Sequence, residues 1–496
     1  MNNIEQDIPK TEQRRMNLRF LLFLFIVFLT LSCQKAVETG SVENTVTNKI
    51  DAYVKDLMVV DEIPGLAIAV IQDSMVLHKG HYGYANLENH VKVSDSSVFR
   101  LYSVTKLMTA VATFRLVQQK KMKLHDTLSQ YLDGLPEQWK PIQIKHLLTH
   151  SSGLPEYKDF NQSLSNEELL EKLSVQPLRF PMGERFEYNQ TGFWLLQQII
   201  EKVTGEAFEK VVLDIQFPNA GNEAFFASNS LAVYPNRNAK YIYDPQLKRY
   251  EHSTFEAGNR SLAGNGLNTT LDQLISWNKL FDTGKLLDEE TKTLFLSPFA
   301  YNNNEKRFLH GSMDEYLVNG HKMYGFSGGA VIDFKKFETG LTVIILSNGF
   351  KYTPRIANMM RLIAGMADSR LKEPNRIAQE QLRIDIMKSN SSKNFRKVYE
   401  KARKKNPQLS FEGVLNNTGY DFILDDDLER AIEIFQINVE KHPNSFNAFD
   451  SLGEAYMLNG NTALAIENYR KSMELNPANT NAIQMIKRIN ENNQQK

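Results

Sequence analysis

The feature that most constrains the 496-residue chain is the distance between its clearest strand signals. From Pro64 the sequence runs PGLAIAVIQDSMVLHKGHYGYANL, two apolar, β-rich stretches broken by Gln72, Asp73 and Ser74, the pattern of a hairpin. The next strand signal of this kind, ETGLTVIILSN, comes only at Glu338 to Asn348. Between them lie helical apolar patterns, notably Ser103 to Gln119 and Thr191 to Val203. Strands at both ends with helices inserted between them predict an α+β domain over 46–370 whose sheet is completed by distant segments.

Two further segments follow. Residues 371–408 carry 11 Lys or Arg against 4 Asp or Glu without a strong apolar face, and are expected to form a solvated, basic helical linker. From 409 to 496 the chain repeats itself at a spacing of 34. Ala431-Ile432-Glu433 recurs as Ala465-Ile466-Glu467, Phe435 is matched by Tyr469, Pro443 by Pro477 and Gly419 by Gly453. This resembles the tetratricopeptide repeat, with small residues where helices cross and a proline ending each helix pair. Fewer than three full repeats are present, so this all-α array is expected to pack on the preceding domain or on a protein partner.

The N-terminus reads as a processing signal. Arg14, Arg15 and Arg19 precede the apolar run Phe20 to Leu31, then Ser32 and Cys33. Twelve helical residues reach about 18 Å, well short of a bilayer core of about 30 Å, so residues 1–33 are expected to be a cleaved signal peptide rather than a span. A small residue directly before cysteine at the end of such a run resembles the bacterial lipoprotein signal. That resemblance implies lipidation of Cys33, a tether over 34–45, and a membrane-anchored location in the cell envelope; plain secretion with an incidental cysteine is the alternative. Cys33 is the chain's one cysteine, which excludes an intramolecular disulfide and any Cys-rich metal site. With 58 basic against 58 acidic residues the formal charge is zero, which gives no support to a nucleic-acid partner.

The chemistry is carried by VFRLYSVTKLMTAVATFRL, where Ser103 and Lys106 stand three apart at the start of an apolar helix. Positions i and i+3 share a helix face. An amine whose pKa is lowered by burial can take the proton of a serine hydroxyl, and unpaired N–H groups at a helix start favour the charge that develops in acyl transfer. Ser-x-x-Lys alone is weak; Ser276/Lys279 and Ser369/Lys372 show the same spacing.

The surroundings of Ser103 supply the rest. HLLTHSSGLP (His146 to Pro155), FEYNQTGFWLL around Tyr188, LAGNGLNTTLDQLISW (Leu262 to Trp277) and YGFSGGAVIDF follow in order. Together they resemble the serine β-lactamase and penicillin-binding-protein superfamily, in its class C-like branch of hydrolases and esterases. The resemblance implies a β-lactamase/transpeptidase-like fold, with an antiparallel sheet flanked by helices and a helical subdomain. It gives Ser103 the role of nucleophile, Lys106 and Tyr188 those of proton carriers, and the Ser103 and Gly329 amides that of an oxyanion hole. Gln190 stands where the family has asparagine and is carried over as a substrate-binding residue. Phe326, Ser327 and Gly328 fall on the family's cation-x-Gly triplet and line the substrate site. Phe326 cannot make the charge-assisted contact to a substrate carboxylate, ordinarily worth about 1.5–3 kcal/mol, and so implies an uncharged ester or amide. His146 and His150 are assigned to a structural loop.

These readings predict a secreted serine hydrolase that forms an acyl-enzyme with a small-molecule or peptide acyl substrate. They call for no metal and no cofactor, since no His/Asp/Glu cluster has ligand spacing and no glycine-rich phosphate loop follows a strand. Peptidase, β-lactamase and esterase stay open. A second class also stays open: a catalytically weakened scaffold that binds at the cell envelope through its repeats.

Overall fold

A computed structural model describes residues 45–494, apart from 255, 257, 307, 353, 354 and 390. The expected signal peptide, Cys33 and the expected tether up to residue 44 lie outside the described residues. The expected hairpin is present as Gly65–Gln72 and Met75–Asn86. Asp73 and Ser74 both adopt positive φ (48° and 69°), the two left-handed positions of a tight hairpin turn whose twist suits the strands it joins.

The distant strand arrives where the sheet needs it. Leu341–Ser347 pairs antiparallel with Gly65–Gln72, Val70 opposite Val343 and Ile68 opposite Ile345. The seven-stranded sheet runs Val91–Lys92, Met75–Asn86, Gly65–Gln72, Leu341–Ser347, Ile332–Phe337, His321–Gly328, Asp314–Val318, with every neighbour antiparallel. Leu341–Ser347 is buried at every position, so both faces of the sheet are covered. Helix Leu271–Asp282 packs on Gly65–Gln72 and helix Ile356–Ala367 on Leu341–Ser347.

Ile332–Phe337 (IDFKKF) is fully buried despite three charged residues. Each of them has a partner. Lys336 Nζ donates to Asn278 Oδ1 (2.6 Å) and Thr342 Oγ1 (3.0 Å) and pairs with Asp282 (2.7 Å). Asp333 accepts from Ser327 Oγ (2.6 Å), with the Lys335 ammonium 3.6 Å away.

Between the strands sits the helical subdomain, centred on Thr105–Gln118. Eleven of that helix's fourteen residues are buried, because Thr191–Thr204, Phe208–Gln216, Leu262–Asn265 and Glu289–Phe295 pack around it. A helix apolar on nearly every side can only be a core helix.

The C-terminal region is all helical. Helices begin at Glu412, Phe446 and Thr480, one 34-residue period apart, with Leu428–Lys441 and Thr462–Leu475 as the second members of the pairs. The repeated small residues have a steric reason. A Cβ on Gly419 would come within 2.4 Å of the Phe435 ring, and one on Gly453 within 3.0 Å of the Tyr469 ring.

The basic segment 371–408 differs from its expectation. It folds into Pro374–Met387 and Phe395–Lys405 and is part of the packing. Ile384 joins the main core, whereas Leu382, Ile386, Phe395 and Tyr399 join a second core with Phe411, Phe422 and Phe435. Arg383 is itself buried. It forms a two-pronged pair with Asp61 (2.6 and 3.0 Å) and also bonds Glu380 (2.9 Å). The excess of Lys and Arg masks a helix with an apolar contact on each side. Arg355 with Asp421, and Lys351 with Glu62 and Asp425, extend the joint between the two regions.

Candidate active site

Ser103 lies in a single 3₁₀ turn, Tyr102–Val104, that leads directly into helix Thr105–Gln118. Tyr102 has φ 48°, a left-handed conformation that is costly for an aromatic residue and is held here by its surroundings. The strand His321–Gly328 presses on this turn. A Cβ on Gly328 would meet Leu101 O at 2.2 Å, and one on Gly329 would meet the Tyr102 ring at 2.8 Å. Only glycine permits so close an approach. Gly329 and Ser103 both border the cavity above the turn.

Lys106, one turn on, is completely buried. Its Nζ donates to Gln190 Oε1 (2.8 Å) and Gly264 O (2.7 Å). Burial pushes its pKa down to about 7, only partly offset by the Glu156 carboxylate. A neutral amine has two N–H groups and one lone pair, so these two acceptors satisfy both donors and leave the lone pair for a proton. Nζ also lies 5.0 Å from the centre of the Tyr188 ring and 5.2 Å from that of Phe193.

Tyr188 Oη donates to Ser103 Oγ at 2.8 Å. Burial raises the phenol's pKa, while hydrogen bonds with Ser103 and Gln190 pull it back. The phenol thus stays protonated at neutral pH, and the amine is the group poised to titrate.

The loop His146 to Glu156 builds the seat of Tyr188. His150 O accepts from Glu187 N (2.9 Å), and its Nδ1 accepts from Asn189 N (3.1 Å). Asn189 Nδ2 donates to Leu154 O (2.9 Å), Thr191 Oγ1 to Pro155 O (2.8 Å), and Gln190 N to Glu156 Oε2 (2.7 Å). His150 is ringed by Phe186, Tyr188, Phe193 and Phe308, and burial holds its pKa well below the usual histidine range. It is a neutral prop. His146 is likewise pushed down, to about 4, and its Nδ1 accepts from Gln143 N at the start of its own helix. Both histidines are structural.

The structure therefore brings together Ser103, Lys106, Tyr188 and Gln190, with Gly329 on the cavity wall. Gln190, expected to face substrate, has its side-chain oxygen committed to Lys106. Phe326 is buried in the aromatic cluster around Tyr188, its ring 6.5 Å from Tyr188 and 6.4 Å from Phe308. Strand alternation turns Ser327 to the opposite face, where its hydroxyl bonds Asp333. Gly264 and Glu156 do not stand out in the sequence as site residues. Their signal is present all the same, since Gly264 lies in LAGNGLNTT and Glu156 directly follows HLLTHSSGLP. Among the described residues no group of three or more His, Cys, Asp and Glu side chains is placed to share a metal ion.

The fold has counterparts among known proteins. The family model described as Beta-lactamase matches residues 50–365. Penicillin-binding protein 4* of Bacillus subtilis (strain 168) is 25% identical over 304 residues, covering 55% of this chain and 65% of that protein. Protein flp of Staphylococcus aureus (strain MRSA252) is 26% identical over 178 residues, 34% of this chain and 36% of that one. The chain thus spans from about a third to just under two thirds of the length of these curated relatives. Among solved structures, the octameric penicillin-binding protein homologue from Pyrococcus abyssi superposes with a TM-score of 0.55 at 23% identity, covering 68% of this chain and 81% of that one. EstCE1, a hydrolase with promiscuous acyltransferase activity, gives 0.53 at 18% identity, covering 66% and 99%. At these identities the structural likeness is one of fold. The family match, by contrast, runs from within the helix over 45–60 through the strand Leu341–Ser347 to the helix Ile356–Ala367 that packs on it, and the chain is a member of the Beta-lactamase family.

Proposed function

We propose that the protein is a serine hydrolase that acts on an ester or amide through a covalent acyl-enzyme at Ser103. The observation that carries this is the 2.8 Å contact between Tyr188 Oη and Ser103 Oγ, set beside a buried amine whose two N–H groups are already bonded. As Ser103 Oγ attacks the carbonyl carbon, its proton passes to Lys106 Nζ. The Ser103 and Gly329 amides hold the carbonyl oxygen as it gains charge. Tyr188 gives its proton to the departing alcohol or amine and recovers one from Lys106. Water, deprotonated by the same pair, then releases the acid and restores the serine.

In this proposal Gln190 is a positioning residue that fixes the Lys106 amine. The protein is exported by residues 1–33, held at the cell envelope by a lipid on Cys33, and carries tetratricopeptide-like repeats over 409–496 as a platform for a protein partner. Support for these points comes from the apolar run before Cys33 and from the 34-residue period of the C-terminal helices.

Hydrolysis of p-nitrophenyl butyrate tests the catalytic part. Ser103→Ala should lower kcat/KM by about 10³-fold or more, as loss of a covalent nucleophile does. An unchanged rate would overturn the assignment and favour a binding scaffold.

A further inference from the structure

The cavity over Ser103 has a volume of about 790 Å³ and carries four cationic side chains on its wall, Arg100, Lys158, Arg237 and Lys240. None of the described residues that line it is Asp or Glu. Arg100 and Lys240 both lie over the ring of Tyr102, the residue before the nucleophile, at 5.1 and 4.6 Å from its centre. Arg237 is held in place by its own Nη1, which donates to Asn229 O (2.8 Å) and Ala232 O (3.3 Å). Among the described residues no carboxylate lies within ion-pair distance of Lys158, Arg237 or Lys240. The Glu88 carboxylate is taken up by His252 and by the Tyr241 hydroxyl, and Glu156 by the Gln190 and Lys158 amides.

Like charges gathered around one cavity repel one another. Arg100 is held below its usual pKa first by burial and then by Arg237, and Lys240 first by burial and then by Arg100. An anion would relieve that repulsion, and a guanidinium fork matches a carboxylate in geometry. Phe326 stands where the family triplet has a cation, while Arg237 and Lys240 supply two in the cavity over Ser103.

We propose that the substrate is an anionic acyl compound, an ester or amide whose carboxylate lodges against Arg237 and Lys240 while its scissile carbonyl lies at Ser103. This rests on the reading of Ser103 as nucleophile. It replaces the expectation of an uncharged substrate drawn from Phe326 alone.

The full chain should be assayed with two p-nitrophenyl esters of equal length, the neutral valerate and the mono-glutarate with its terminal carboxylate. Wild type is expected to show about tenfold or greater kcat/KM for the glutarate ester, from a preference that shrinks as ionic strength rises. Lys240→Gln, and Arg237→Gln with it, should lower kcat/KM for the glutarate ester at least about fivefold more than for the valerate ester, mostly through KM. Lys240→Gln breaks no hydrogen bond of the fold, so it tests the idea even where Arg237→Gln disturbs its loop. Equal rates on the two esters in wild type, or variants that slow both alike, would overturn this proposal and leave the serine-hydrolase reading intact. Failure to hydrolyse either ester would overturn both.

Discussion

Replacing Lys106 with methionine should all but abolish turnover and yet leave the protein's stability at neutral pH within about 2 kcal/mol of wild type. The kinetic loss follows from removing the group proposed to accept the Ser103 proton, and a factor of about 10³ or more is expected. The stability outcome is a contest between two effects. Methionine leaves Gln190 Oε1 and Gly264 O without the donor they now share, at a cost of about 1–3 kcal/mol for each. Against this, the wild-type fold must bury an amine whose pKa falls to about 7 from an unfolded value of about 10.4, a penalty of roughly 4–5 kcal/mol wherever both states are protonated. At and below neutral pH the burial penalty and the two lost hydrogen bonds are therefore of similar size and nearly cancel.

The sign of the pH dependence follows from proton binding. Between pH 7 and about 10.4 the unfolded chain binds a proton at Lys106 that the native state does not, so this group makes wild-type stability rise with pH across that window. Lys106→Met should lose that contribution. Urea unfolding at pH 6 and pH 9 checks this: the variant should stay within about 2 kcal/mol of wild type, or exceed it, at pH 6, and should lose ground to wild type at pH 9. A variant less stable than wild type at pH 6 by more than about 2 kcal/mol would show that the amine is buried for structure and not held for chemistry.

The second large effect lies at the joint between the hydrolase domain and the helical region. Arg383 is 3% exposed and Asp61 fully buried, with Glu380 beside them. Arg383→Ala would leave both carboxylates buried without their cation, which costs about 3–5 kcal/mol for pairs of this kind. Guanidinium unfolding should show that loss. Asp61→Ala/Arg383→Met, which removes a charge from each side, should recover part of it. A loss below about 1 kcal/mol for Arg383→Ala would mean that the apolar contacts of Ile384, Leu382 and Ile386 hold the joint by themselves.

The two effects also show what can be read from the chain and what cannot. The hairpin at Gln72 to Ser74, the helix at Ser103 and the return strand at Leu341 are legible because each follows a local rule of periodicity or turn chemistry. Tyr188 is legible through its segment, and its 2.8 Å approach to Ser103 is a consequence of the His150 and Asn189 bonds that seat it. The partners of Lys106 are harder to see. Gly264 acts through a carbonyl that any residue possesses, and Gln190 reads as a substrate contact until the fold sets its amide oxygen on the amine. Arg383 is hidden by charge counting, because a buried arginine and a solvated one add the same +1 to a segment's total. Arg237 and Lys240 lie more than 130 positions beyond Ser103, and only the folded chain sets them around one cavity with Arg100.

The central claim is that Ser103 becomes covalently acylated, and labelling with a fluorophosphonate tests it most directly. After tryptic digestion, mass spectrometry should find the added mass on Leu101–Lys106, the peptide LYSVTK released by cleavage after Arg100 and Lys106, with fragment ions placing it on Ser103. The label should be absent from Ser103→Ala. Equal labelling of Ser103→Ala, or a mass carried by any other peptide, would contradict that claim.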